Sequence, residues 1–89
     1  MSHSFALTVS SPEGKRFSGQ VLMLILRGAS GDLAVMAGHT PFVTTVVPCT
    51  CKIELEDESE RFAKIEGGLL SVAADGVTLL SSTFSWVES

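Results

Sequence analysis

Tyrosine is absent from this chain, tryptophan occurs once, and proline three times. Cysteine occurs twice, and basic residues number six against ten acidic ones. The six cations, Lys15, Arg16, Arg27, Lys52, Arg61 and Lys64, are scattered, and the net charge is -4. A polyanion site needs clustered Lys and Arg with rings to stack on, so nucleic acid is excluded as a partner. Long apolar runs are also missing: the longest, Val21 to Leu26, is far short of the ~20 residues that a spanning helix requires, which argues against membrane insertion. Met1-Ser2-His3-Ser4 offers neither the basic start nor the apolar stretch of a secretory signal, and the expected location is cytosolic.

With 89 residues, 45% of them hydrophobic, residues 1–89 are expected to form a single domain. Scaling laws give such a chain about 8,600 Å² to bury on folding, enough for one core with a narrow margin.

The hydropathy pattern has period two nearly throughout. Phe5, Leu7 and Val9 alternate with Ala6, Thr8 and Ser10, predicting a strand with one buried face. Ser11-Pro12-Glu13-Gly14 supplies a reversal. Phe17 to Arg27, rich in Val, Leu and Ile, reads as a strand buried on both faces. Gly28-Ala29-Ser30-Gly31-Asp32 reads as a loop, Leu33 to Met36 as a short strand, and Ala37 to Pro41 as a second loop. Further strands are expected over Phe42 to Val47, Thr50 to Glu56, Phe62 to Glu66, Leu69 to Ala74 and Val77 to Ser82, with Asp75-Gly76 as a hairpin pair. No helical stripe and no internal repeat appears. The fold class is therefore all-β, a sandwich or flattened barrel of two sheets, with a core expected from Phe5, Leu7, Val9, Val21, Met23, Ile25, Leu70, Val72, Val77 and Leu79.

Chemistry is sparse. Cys49 and Cys51 stand two apart on a strand, a spacing that places them on one face without the Cβ approach of a disulfide. With only His3 and His39 as imidazoles, a closed four-ligand zinc site lacks donors. Glu54, Glu56, Asp57, Glu58 and Glu60 lack the spacing of a calcium loop and read as a solvated hairpin tip. Ser30, His39 and Asp32 supply the residue types of a nucleophilic triad without a recognisable motif, and no phosphate loop is present. What is left is Gly28 to Pro41, two glycine-bearing loops framing Asp32 and His39, although Gly28, Gly31 and Gly38 serve equally well as plain turn residues.

The order of short motifs is more specific than any one of them. Phe5-x-Leu7-x-Val9-x-Ser11-Pro12-Glu13-Gly14 is followed by Phe17-Ser18-Gly19-x-Val21, Gly28-x-x-Gly31-Asp32-Leu33 and Gly38-His39-x-Pro41. Ile65-x-Gly67-Gly68-x-Leu70-x-Val72 and Val77-Thr78-Leu79-Leu80 complete the set. Over about residues 4–83 the chain resembles the epsilon subunit family of F-type ATP synthases. The resemblance implies a ten-stranded β-sandwich without catalysis or cofactor. It implies a place in the central stalk, bound to the gamma subunit and to the polar loops of the c-ring, and only indirectly to the alpha/beta catalytic assembly. It implies a peripheral location on the cytoplasmic face of the bacterial inner membrane, or an organellar equivalent. Contact roles with the c-ring or gamma fall to Gly31, Asp32, Gly38, His39, Thr40 and Pro41, and Ser11, His39 and Thr44 are candidates for facing gamma. Ala34 and Ala37 stand where the family commonly has Gly and Pro. Phe84 to Glu88 do not begin the helical hairpin with which family members usually continue, so its inhibitory and nucleotide-binding roles are not carried over. The alternative is a free-standing all-β domain with a small-molecule pocket lined by His39 and Asp32. A lipoyl-type carrier is set aside because Lys64 is not at the tip of a clear hairpin.

Overall fold

The computed structural model describes residues 3–87, which contain nine strands and no helix. In chain order these are β1 Phe5–Ser11, β2 Gly14–Gly28, β3 Gly31–Met36, β4 Phe42–Val46 and β5 Cys49–Leu55, then β6 Glu60–Ile65, β7 Gly68–Ala73, β8 Gly76–Ser81 and β9 Phe84–Trp86. The expectation of an all-β sandwich holds.

Fifteen residues make β2 long enough to belong to both layers. Its first half pairs antiparallel with β1, which lies parallel to β8, and β7 and β4 extend that layer until Val46 meets Gly28 at the far end of β2. The second half pairs with β3 on one side and β5 on the other, and β6 and β9 follow β5. Nine strands thus stand where ten were implied, with β2 a member of each layer.

Where β2 passes from one layer to the other, Val21 pairs with Leu55 but Met23 pairs with Glu54, so Leu22 is an extra residue in the ladder. Because side chains alternate with period two, one inserted residue exchanges the faces. The inward residues are accordingly Val21, then Leu24 and Leu26, all buried, while Met23 and Ile25 are only half-buried on the outer side. This corrects the expectation that Met23 and Ile25 belong to the core and that β2 is buried on both faces. Leu7, Val9, Val21, Leu70, Val72, Val77 and Leu79 are buried as expected, and Phe5 packs against them half-exposed. Leu24, Val35, Ile53, Ala63 and Ile65 fill the space from the second layer.

Three hairpins share one construction: two residues outside the ladder, then a glycine that opens the next strand. They are Pro12-Glu13 before Gly14, Ala29-Ser30 before Gly31, and Ala74-Asp75 before Gly76. Gly28 to Asp32 is therefore mostly strand rather than loop, and Asp75-Gly76 is not itself the turn pair. Gly31 has φ 125°, a conformation that side chains with a Cβ rarely adopt.

Gly68 meets a harder constraint. A Cβ there would lie 1.9 Å from the carbonyl oxygen of Leu80 on the neighbouring β8. Beside it, the buried Ser81 hydroxyl reaches the carbonyls of Gly67 at 2.6 Å and Thr83 at 2.7 Å, sharing one proton between them. The chain then enters β9, where Trp86 stacks edge-on against Phe84 and Phe17, with centroids 4.9 and 5.9 Å away. The Arg61 guanidinium carbon sits 3.6 Å from the indole centroid. Phe17 lies in the first half of β2, so this cluster closes the seam between the layers. Phe84 to Trp86 form a strand, in keeping with the expectation that they do not begin a helix, whereas Glu88 lies outside the described residues.

Three outcomes are expected from this packing. Gly68→Ala should lower unfolding free energy by roughly 2–4 kcal/mol, as steric conflict with backbone does, whereas Gly19→Ala, whose Cβ would meet only the Phe17 ring at 3.6 Å, should change it by less than about 1 kcal/mol. Urea unfolding of both variants checks this, and equal midpoints would contradict it. Burial, and secondarily the neighbouring Cys49, push the Cys51 thiol up to about 11 from its ordinary value near 9. The unfolded chain then loses this proton first, so stability is full below about pH 9 and declines between pH 9 and 11. The same burial should leave Cys51 unlabelled by a thiol reagent at pH 8 until the protein is unfolded.

Candidate functional site

The segment singled out by sequence is built around β3, which pairs with β2 on one side only. The β2–β3 hairpin is tied to β4 by Ala29 N–H donating to Thr45 O and Val47 N–H donating to Arg27 O, both at 3.1 Å. Opposite each other in the ladder, Arg27 and Asp32 form an ion pair, Nε donating to Oδ1 at 3.0 Å. Asp32, by hydrogen bond first and charge second, raises the Arg27 pKa above its ordinary value. Both side chains are exposed, 59% and 74%, so the pair orients the carboxylate more than it stabilises the fold.

Past Met36 the chain bends back along β3. His39 Nε2 lies 2.8 Å from Ala34 O, and since a carbonyl only accepts, the ring donates there. Its centroid is 6.4 Å from that of Phe42. Gly31, Asp32 and His39 are thereby gathered along β3, with Thr40 and Pro41 exposed beside them before β4.

Ser11 and Thr44 lie elsewhere. Ser11 ends β1, where its Oγ accepts from Glu13 N–H in the following turn at 3.3 Å, and it borders a shallow hollow of about 440 Å³ with Pro12 and Leu80. Thr44 is on the side of β4 shared with Phe42 and Val46, in register with Leu70, so it faces the interior and is half-buried. The outward residues of β4 are Val43 and Thr45.

These placements bear on catalysis and ligand binding. His39 is engaged with Ala34 O and Asp32 with Arg27, so the types that sequence could assemble into a triad with Ser30 are held by other partners. Among the described residues no three His, Cys, Asp or Glu side chains come together in a metal-holding group, and both cysteines are free thiols. A groove of about 470 Å³ is lined by His39 and Gly38 but not by Asp32, which corrects the alternative reading that both line one pocket.

A larger feature escaped the sequence reading. On the outside of the first layer one rung of the ladder runs Val43, Ser71, Thr78, Thr8, Ser18, and the next Thr45, Leu69, Leu80, Ser10, Lys15. Nine of these ten residues carry no charge, and Val43, Leu80 and Leu69 are 63%, 48% and 40% exposed. The signal was present in the Ser and Thr residues alternating with core positions, but only strand order shows that they form one face. The second layer's exterior differs: Arg27, Asp32, Lys52, Glu54, Glu60 and Lys64 surround Met23, Ile25 and Phe62, and Lys52 pairs with Glu60 at 3.1 Å.

Comparisons with known proteins agree with this architecture. ATP synthase epsilon chains of Herminiimonas arsenicoxydans and Acinetobacter baylyi are 37% identical over 84 residues and 42% identical over 67. Those alignments cover 93% and 75% of this chain but only 60% and 48% of the relatives, so the chain spans about half to three-fifths of their length. Among solved structures, a chain of the Euglena gracilis mitochondrial ATP synthase (OSCP, F1 and c-ring) superposes with a TM-score of 0.87 at 21% identity, over 93% of this chain and 53% of that one. A chain of the Tetrahymena thermophila mitochondrial ATP synthase central stalk and c-ring gives 0.76 at 13% identity, over 93% and 66%. At those identities the likeness is one of fold. Residues 4–87 match the family described as ATP synthase, Delta/Epsilon chain, beta-sandwich domain, and with 37% identity to a curated epsilon chain the protein belongs to that family.

Proposed function

We propose that this domain is a non-catalytic element of an ATP synthase rotor, binding the gamma subunit through the uncharged exterior of the first layer and meeting the c-ring through the β2–β3 hairpin and the β3–β4 segment that carries His39. The observation that carries the proposal is the outer face on which nine of ten rung residues are uncharged and three large apolar side chains are exposed. Faces depleted in charge and holding exposed apolar groups are what stable protein contacts cover, because burying an unpaired charge there costs several kcal/mol. The relatives add the setting, being epsilon chains, and the structural neighbours come from assemblies containing F1, the central stalk and the c-ring.

The mechanism is mechanical. A ring-facing Asp32 is braced by Arg27, and the hairpin that carries it is bonded to β4, the strand that also presents Val43 and Thr45 on the uncharged face. A tangential load at the hairpin therefore passes through backbone hydrogen bonds into the layer that grips gamma, with no flexible linker between. Contact with the alpha/beta assembly is indirect, through gamma. The site of action is the membrane-facing side of the complex, the cytoplasmic face in a bacterium, with this domain held peripherally by its partners.

Two double variants test the contacts, and a single one tests the role of the Arg27–Asp32 pair in stability. Val43→Glu with Leu80→Glu should leave the circular dichroism of the domain unchanged and weaken capture of purified gamma at least tenfold, about 1.4 kcal/mol or more. Unchanged gamma capture by the folded variant would overturn the assignment of that face. Asp32→Asn should alter stability by less than about 1 kcal/mol, as exposed pairs do. Asp32→Lys with His39→Asp should loosen co-purification with the c-ring while the domain remains folded, and co-purification equal to wild type would remove the hairpin from the contact.

A further inference from the structure

We propose that the groove lined by Gly38 and His39 seats a single lysine or arginine side chain presented by a protein partner; this rests on the reading above that the β3–β4 segment lies in a contact. The groove, about 470 Å³, is bounded by the chain leading into β1, by the β3–β4 segment and by the β7–β8 turn. It is not part of the uncharged face, and its chemistry differs from that of the Arg27–Asp32 pair.

Its walls favour a cation. Asp75, in the β7–β8 turn, is exposed and belongs to none of the ion pairs among the described residues, which are Arg16–Glu13, Arg27–Asp32 and Lys52–Glu60. No lysine or arginine among the described residues lines the groove. With Nε2 donating to Ala34 O, the neutral tautomer of His39 that matches this contact has Nδ1 as its acceptor. Gln20, a further wall residue, has its Oε1 accepting from the Ser4 hydroxyl at 3.0 Å. One full negative charge and additional acceptors are thus set against an apolar lining that includes Met36. That combination suits a side chain with an aliphatic stem and a cationic head, the stem lying along apolar surface while the head reaches the carboxylate. A bound metal ion fits less well, because the described residues bring no three ligand side chains together.

The test uses N-acetyl-lysine methylamide as the probe and N-acetyl-norleucine methylamide as its uncharged counterpart, titrated into the isotope-labelled chain and followed by amide chemical shifts. The lysine probe should produce saturable shifts at Gly38, His39, Asp75 and Gly76 in the low millimolar range, a weak site of about 3–4 kcal/mol. Asp75→Asn should weaken that binding at least fivefold. The absence of saturation, equal shifts with norleucine, or equal binding by Asp75→Asn would each overturn the cationic site. The second measurement concerns its source: Asp75→Lys should reduce capture of gamma or c-ring at least tenfold, and unchanged capture would overturn the protein partner. Because the titration contains no rotor subunit, it stands or falls independently of the proposed rotor function.

Discussion

The architecture depends on the passage of β2 between two layers, and that passage depends on one residue. Had the ladder run without interruption, the odd-numbered residues would have stayed inward, and Met23, Ile25 and Arg27 would have followed Val21 into the core. Arg27 could not be accommodated there without an ionic partner inside an apolar cluster. The insertion of Leu22 between Val21 and Met23, opposite the uninterrupted Leu55–Glu54 step of β5, moves Leu24 and Leu26 inward and turns Arg27 out to meet Asp32. A bulge also increases local twist, which is how one strand can serve two sheets in a chain too short to spare another.

The same exchange of parity creates two unlike exteriors. In the first layer, alternation gives outward positions to Ser, Thr, Val and Leu, because the charges of that half lie in its turns, at Glu13 and Asp75, or at the very start of β2, at Lys15 and Arg16. In the second, outward positions carry cations and anions whose closest pairs neutralise one another locally. A face of hydroxyls and short apolar groups has low affinity for water relative to a charged one and loses little when it is covered. A face of paired charges stays hydrated and suits polar contacts rather than close apolar ones. The division explains how so acidic a domain, at -4, can still offer a surface fit for a close protein contact.

Strand positions and the all-β class were legible because period-two alternation and glycine turns are local signals, and the chain has little else. Most of the core followed from the same signal. The two errors, Met23 and Ile25, share one cause: in a run as uniformly apolar as Val21 to Leu26, hydropathy does not mark the residue at which a ladder slips, and only the pairing partner Leu55–Glu54 does. Gly28 to Asp32 was misread as loop because the three hairpins need only two residues outside the ladder, and their glycines lie within strands. Of the candidate contact residues, Gly31 and Asp32 lie on β3 and His39 folds back against it, whereas Thr44 points inward, a difference of one residue in register from its outward neighbours. Asp75 passed unremarked as a site because its groove partners Gln20 and His39 are remote in sequence.

Stiffness in a domain of this size has to come from closure more than from bulk. The first layer returns to its own starting strand through Val46 and Gly28, and the seam on the opposite side is held by Trp86 between Phe17, Phe84 and Arg61. Gly68 permits β7 to lie against Leu80 O at a distance no side chain tolerates, drawing β7 and β8 together where the uncharged face is most apolar. Each of these devices removes a way for one layer to slide over the other. A non-catalytic domain proposed to carry load between partners needs this property above all, since any internal sliding would dissipate displacement before it reached the far contact.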